Sequence, residues 1–286
     1  MNGPARQPGA PGGAGLPPVE ELEIELLLEA LFQRFGFDFR AYERGALSAK
    51  LRTLAAGREL ASLSLLQDRV LHDAQAAADM LRALSVPARQ LFDDVPQALV
   101  LRTVLESALR ASAMPRVWLA ECGGAEQAWT LAILLAELGL DQRTEIFATV
   151  ANEGMLADVA DASIASDRLA LCNESYVQAG GRGDLLAYFE IVDGRAMLLP
   201  QLRERITWAQ YNLVTDASFN EFQLIVCQRA LADFGPSLRA RTLRLFHESL
   251  ALFGVLGLDR ELDATDPLGA CYQPVVTGQP WYKRIA

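Results

Sequence analysis

The sequence predicts an N-terminal all-α domain followed by an α/β domain with a mostly parallel sheet. Apolar residues recur at helical spacing from Val19 to about residue 112, with few β-branched residues and almost no Gly. From Arg116 onward, short apolar runs of strand length alternate with helical stretches, which implies parallel strands covered on both faces. An Asp193-Gly194 pair between apolar runs marks a hairpin inserted over about 185–210.

The elements follow in order. Residues 1–18 hold five Gly and five Pro and read as a disordered lead-in. Ile24, Leu27, Leu28, Leu31 and Phe35 share one helical face, acidic residues crowd its start, and Gly36 ends it. Helical periodicity resumes over 41–56, 62–83 and 95–112, giving an all-α module over 19–112. The texture changes at Met114-Pro115, and an α/β domain over 113–286 begins. Strands are expected at 116–120, 145–150, 222–227 and 252–258, with helices at 126–138, 153–163 and 236–251.

Composition narrows the function classes. The 286 residues carry 26 Lys+Arg against 36 Asp+Glu, a net charge of −10, which disfavours nucleic acid and anionic membranes as partners. Only Lys50 and Lys283 are lysines, which reads as a compositional bias toward Arg. The four cysteines are scattered without a CxxC pair, so buried free thiols in a reducing compartment are expected. Two isolated histidines make a zinc site improbable. No apolar run is long enough to span a membrane and no leader is evident, so a cytoplasmic location is expected.

In a doubly wound sheet, ligands bind beyond the carboxyl ends of the strands. The first such turn is Glu121-Cys122-Gly123-Gly124-Ala125-Glu126, where Gly permits close backbone approach. The order of segments adds specificity. Arg34-Phe-Gly36-Phe-Asp38-Phe39-Arg-Ala-Tyr42 resembles the Tyr-Gly-x-Asp-Phe-x-x-Tyr entry of the CheR-type chemotaxis methyltransferases. Trp118-Leu-Ala-Glu-Cys-Gly-Gly-Ala-Glu-Gln-Ala-Trp-Thr-Leu-Ala132, Ala148-Thr-Val-Ala-Asn152, Asn212-Leu213, Phe222 to Phe234 and the closing Trp281-Tyr-Lys-Arg-Ile are similar to that family's later segments. The resemblance runs over about residues 24–285. It implies a Rossmann-like class I methyltransferase domain, an S-adenosylmethionine cofactor, no metal, and methyl transfer to receptor glutamates.

The departures from the family pattern gather at its ligand positions. By the resemblance, the cofactor residues fall on Glu121, Gly123, Gly124, Glu126, Val150, Asn212, Leu213, Gln228 and Arg229. The family's ribose-binding Asp becomes Val150, its Arg-Asn pair becomes Gln228-Arg229, and its loop Gly becomes Ala125. The positions near methyl transfer fall on Asp93, Arg229 and Asp233, all substituted, and Asp93 reverses the charge of a family Arg. Each lost charge-assisted bond removes roughly 1.5–3 kcal/mol. Phe92 is a packing match, and Asn152 or Glu153 stands where a ribose could be reached instead. Four residues apart, Arg229 and Asp233 are expected to pair with each other or across the vacated site. Bland roles stand beside the others: Glu126 suits a helix N-terminus, and Asn212 can satisfy a turn.

The expected function is that of a CheR-like protein of a chemosensory or two-component signalling system. It would be catalytically impaired and would bind a signalling protein such as a chemoreceptor or response regulator. One alternative is an active S-adenosylmethionine-dependent protein-glutamate O-methyltransferase with an altered pocket; another is a crevice repurposed for a different small ligand. The run Leu186–Val192 is the candidate docking edge of the inserted hairpin.

Overall fold

The computed structural model describes residues 18–262 and 268–286. The lead-in expected over 1–18 lies outside the described residues apart from Pro18.

Five helices open the fold: α1 (Val19–Phe35), α2 (Arg44–Gly57), α3 (Leu63–His72), α4 (Ala74–Leu84) and α5 (Val95–Leu109). Gly36, at φ 79°, ends α1 and donates its N–H to the Phe32 carbonyl. The single helix expected over 62–83 is broken at Asp73. That residue adopts extended dihedrals so that its carboxylate can cap Gln75 and Ala76 at the start of α4. Ile24, Leu27, Leu28, Leu31, Leu51, Leu66 and Met80 form the core of this module.

The expected boundary at residue 112 falls too late. Leu101, Val104, Leu105 and Leu109 of α5 are buried in the core of the sheet rather than among α1–α4. Helical periodicity shows which face is apolar but not which neighbour that face meets, so α5 reads as part of the helical run although it packs in the α/β domain.

The α/β domain contains β1 (Arg116–Ala120), α6 (Ala125–Glu137), β2 (Glu145–Val150), α7 (Glu153–Ala160), β3 (Ile164–Ala165) and α8 (Ser166–Gln178). These are followed by β4 (Phe189–Val192), β5 (Arg195–Leu198), α9 (Pro200–Arg203), β6 (Ile206–Gln210) and β7 (Phe222–Cys227). The chain closes with α10 (Ala230–Asp233), α11 (Pro236–Ser249), β8 (Leu250–Gly257), β9 (Tyr272–Pro274) and β10 (Trp281–Arg284). The main sheet has the order β6-β2-β1-β7-β8-β10-β9, parallel from β6 through β8 and antiparallel where β10 meets β8 and β9. Side chains of β1 alternate between its faces. Val117 and Leu119 join the core beneath α5 and α6, while Trp118 and Ala120 join that beneath α10 and α11.

The insertion differs from the expected 185–210. A three-stranded sheet, β3-β5-β4, is closed by the Asp193-Gly194 turn, whereas β6 leaves it and pairs with β2 at the edge of the main sheet. Residues 185–188 of the expected docking edge form a 3₁₀ turn, and only Phe189–Val192 is strand. Helix α8 also lies within this excursion; its apolar positions are too sparse to announce it.

Candidate functional site

The carboxyl ends of β1, β2, β6 and β7 face the loop 37–42 and the linker 85–94, and Lys50 of α2 reaches Asp233 beside them. The first turn is held by the Cys122 N–H on the Thr149 carbonyl at 2.7 Å, and Trp118 Nε1 donates to Thr149 Oγ1 at 3.0 Å. Glu121 takes a left-handed conformation there, at φ 59°, one favoured by Gly. Gly123 is required by contact: a Cβ would stand 2.3 Å from the Pro87 carbonyl oxygen, so the linker lies directly on the loop.

That linker occupies the loop's hydrogen-bonding capacity. Glu126 Oε2 accepts the Leu91 N–H at 2.9 Å, and its other oxygen pairs with Arg168 of α8. Phe92, buried and at φ 54°, turns the chain so that its N–H meets Thr130 Oγ1. Arg89 fans out to Asp93 Oδ1 at 3.0 Å, Asp94 Oδ2 at 3.1 Å and Gln228 Oε1 at 3.0 Å. The Asp93 charge reversal is therefore balanced by Arg89, and the buried Gln228 is held by the same guanidinium.

The remaining expected site residues are likewise engaged. Val150 is fully buried, and its carbonyl accepts the Tyr211 N–H at 3.0 Å. Asn152 Oδ1 caps α7 through the Met155 N–H at 3.0 Å, while Glu153 is exposed. Asn212 Oδ1 accepts the Val214 N–H at 2.9 Å in a tight turn that buries Leu213. Gly124 starts α6 in an extended conformation.

Arg229 and Asp233 do not pair as expected. Arg229, left-handed at φ 73°, stands immediately before α10. Asp233 instead binds Lys50 Nζ of α2 at 2.6 Å, and its carbonyl accepts the Glu43 N–H at 2.7 Å. Lys50 completes its donors on the Leu84 and Ser85 carbonyls at 3.1 and 3.3 Å. An i, i+4 spacing licenses a pair only inside a continuous helix, and the helical turn here begins at Ala230. Sequence reading missed Lys50. Its rarity, one of two lysines, is a signal that a compositional explanation absorbs.

The charge balance beside Glu121 is unusual. Its side chain is buried, and burial pushes its carboxyl up to about 7; Lys50 pulls it down, and Asp233 pushes it up again. Burial and the Glu121 charge raise the thiols of Cys122 and Cys227, which leaves both unreactive. Cys172 is also buried and Cys271 half-buried; all four thiols are free.

The sheet order, with a crevice at the carboxyl ends and the reversed strand β10 inserted between β8 and the edge strand β9, is that of a class I methyltransferase fold. The chain belongs to the CheR methyltransferase family. Residues 89–261 match the model of the CheR methyltransferase SAM binding domain, and residues 22–85 match that of the CheR methyltransferase all-alpha domain. The Pseudomonas putida KT2440 protein named "Putative methyltransferase Cher3" is 33% identical over 92% of this chain and 97% of its own. A "Chemotaxis protein methyltransferase" of Listeria innocua is 28% identical over 49% of this chain and 51% of its own. Among solved structures, the N-methyltransferase NodS from Bradyrhizobium japonicum with S-adenosyl-L-homocysteine covers 77% of this chain and 97% of its own. Its identity is 12% and its TM-score 0.37.

Several positions where the family resemblance places S-adenosylmethionine contacts are substituted or already bonded within the chain. The crevice is divided into a cavity of about 50 Å³ beside Arg89 and Gln228 and one of about 20 Å³ between Glu121, Tyr42 and Asn212. A small-molecule pocket is roughly 300–1,000 Å³. The carboxylate of Glu126 and the amide oxygens of Asn152, Asn212 and Gln228 already accept hydrogen bonds within the chain. Val150 offers a ribose diol no acceptor. Among the described residues, no cluster of His, Cys, Asp and Glu could hold a metal, and no helix is long and apolar enough to cross a membrane.

Proposed function

We propose that this CheR-family protein does not transfer methyl groups and acts by binding a signalling protein in a chemosensory or two-component assembly in the cytoplasm. One observation carries the reading. Glu121 stands at the first position of the cofactor loop, in a conformation that favours Gly, and lines the crevice with a buried carboxyl. Methyl transfer to a carboxylate depends mainly on holding donor and acceptor in line. The groups that would hold them are bonded to one another: Arg89 to Gln228, Asp93 and Asp94, and Asp233 to Lys50.

The signalling role is supported by family membership, and the cytoplasmic location by free thiols suited to a reducing compartment. A protein surface remains available at β4, the outer strand of the small sheet, where Ile191 and Val192 are exposed. Calorimetric titration with S-adenosylmethionine and S-adenosylhomocysteine tests the reading. No saturable heat at millimolar ligand is the expected result. Micromolar binding of either would overturn it and leave an active methyltransferase with an altered pocket.

A further inference from the structure

The 20 Å³ cavity has a chemistry of its own. Its lining includes Phe37, Phe39, Tyr42, Tyr211 and Phe234, together with the acids Glu121 and Asp38. Phe39, Tyr42 and Phe234 meet edge to face, with centroids 5.0 and 5.1 Å apart. Glu121 is 7% exposed, and its carboxyl receives no hydrogen bond among the described residues.

The cations nearby are committed elsewhere. Lys50 directs its three donors to Asp233, Leu84 and Ser85. Arg40, next in sequence to the lining residue Phe39, is held by Asp38 and Glu29 and lies over the Phe32 ring. Lys50 therefore pairs with Asp233, and the Glu121 carboxyl has no ion pair of its own among the described residues. A bare metal ion is disfavoured, because no group of three or more metal-ligating side chains surrounds the cavity among the described residues. Aromatic residues around an acid suit an organic cation, whose ammonium head enters the cavity while its alkyl part stays at the mouth. The volume admits a single ammonium head.

We propose that this cavity binds the ammonium group of a small alkylamine, with Glu121 as its counter-ion and the five aromatic residues in its lining. The proposal rests on the reading that S-adenosylmethionine does not occupy the crevice. Binding strengthens above pH 7, where the Glu121 carboxyl, raised by burial, is ionised.

The test is calorimetric titration of the full chain at pH 8 with n-butylammonium, with n-butanol as the neutral isostere and sodium matched throughout. The expected result is saturable binding with Kd on the order of millimolar. Binding of n-butanol should be at least about tenfold weaker, as should n-butylammonium binding to Glu121→Gln. The surface variant Glu190→Gln should bind as the parent does. If Glu121→Gln does not fold, Tyr42→Leu serves, with a severalfold loss expected. No saturable heat, equal binding of the alcohol, or unchanged binding by the folded Glu121→Gln variant overturns the proposal.

S-adenosylmethionine is titrated alongside. Silence of both ligands overturns this proposal alone, and binding of S-adenosylmethionine without n-butylammonium overturns both readings. Binding of both in competition overturns the loss of cofactor binding and sustains the amine site.

Discussion

Lys50 Nζ lies 2.6 Å from Asp233 Oδ2 and joins the helical module to the floor of the crevice across 183 positions of sequence. Both side chains are largely shielded, at 25% and 19% exposure, and the ammonium also holds two carbonyls at the end of α4. The pair stands where the family's methyl-transfer residues are expected, and it serves there as a clasp between domains.

Removing only the cation leaves two carboxylates facing each other in a shielded place. Lys50→Met should therefore cost about 2–4 kcal/mol of unfolding free energy. The double variant Lys50→Met/Asp233→Leu should recover most of that loss, because no shielded Asp233 charge is then left unpaired. Urea unfolding of the two single variants and the double variant gives the coupling directly. Additive losses would show that the pair contributes nothing as a clasp.

The Glu121 carboxyl has a folded pKa of about 7 against an ordinary 4.5. The folded chain thus binds more protons than the unfolded chain between those values, and stability falls as pH rises across that window. The groups facing it are Lys50 from α2, Asp233 from α10, Tyr42 from the turn before α2, and the buried thiols Cys122 and Cys227. The penalty is absent below about 4.5 and complete above about 7, on the order of 3 kcal/mol. Glu121→Gln should consequently be more stable than the parent at pH 8 and nearly equal to it at pH 4.5. Urea midpoints at the two pH values check the sign.

Val150→Asp reinstates the family's ribose-binding carboxylate. The site is fully buried, and the neighbouring Tyr211 N–H is already bonded to the Val150 carbonyl. The variant should lose several kcal/mol of stability, as an uncompensated buried carboxylate does. It should still give no heat with S-adenosylmethionine, because the other acceptors are engaged. Restored binding would mean that a single substitution closed the crevice.

Gly123 and Gly124 separate close packing from loop freedom. A Cβ at Gly123 would meet the Pro87 carbonyl at 2.3 Å, whereas one at Gly124 would meet only the Ala88 methyl at 3.3 Å. Gly123→Ala should cost about 2–4 kcal/mol by forcing the linker off the loop, and Gly124→Ala under about 1 kcal/mol. Thermal unfolding and protease cleavage within 85–94 follow the two effects.

The sequence by itself determined the two-part architecture, the principal strands β1, β2 and β7, the Asp193-Gly194 turn and the position of the crevice. Each of these is written in local spacing, period 3.6 or period 2, or in a turn dipeptide that fixes its own backbone. The ordered motifs from Arg34 to Ile285 added the family. Only the tertiary structure decided where α5 packs, that β6 leaves the inserted hairpin for the main sheet, and that Asp233 takes Lys50 rather than Arg229. It also decided that the side chains of Glu126, Asn152, Asn212 and Gln228 are bonded within the chain, while the Glu121 carboxyl accepts no hydrogen bond among the described residues. The physical reason is the same in each case. Periodicity records that a face is apolar and composition records that a charge exists, but the partner of each is set by approach in space between residues far apart in the chain.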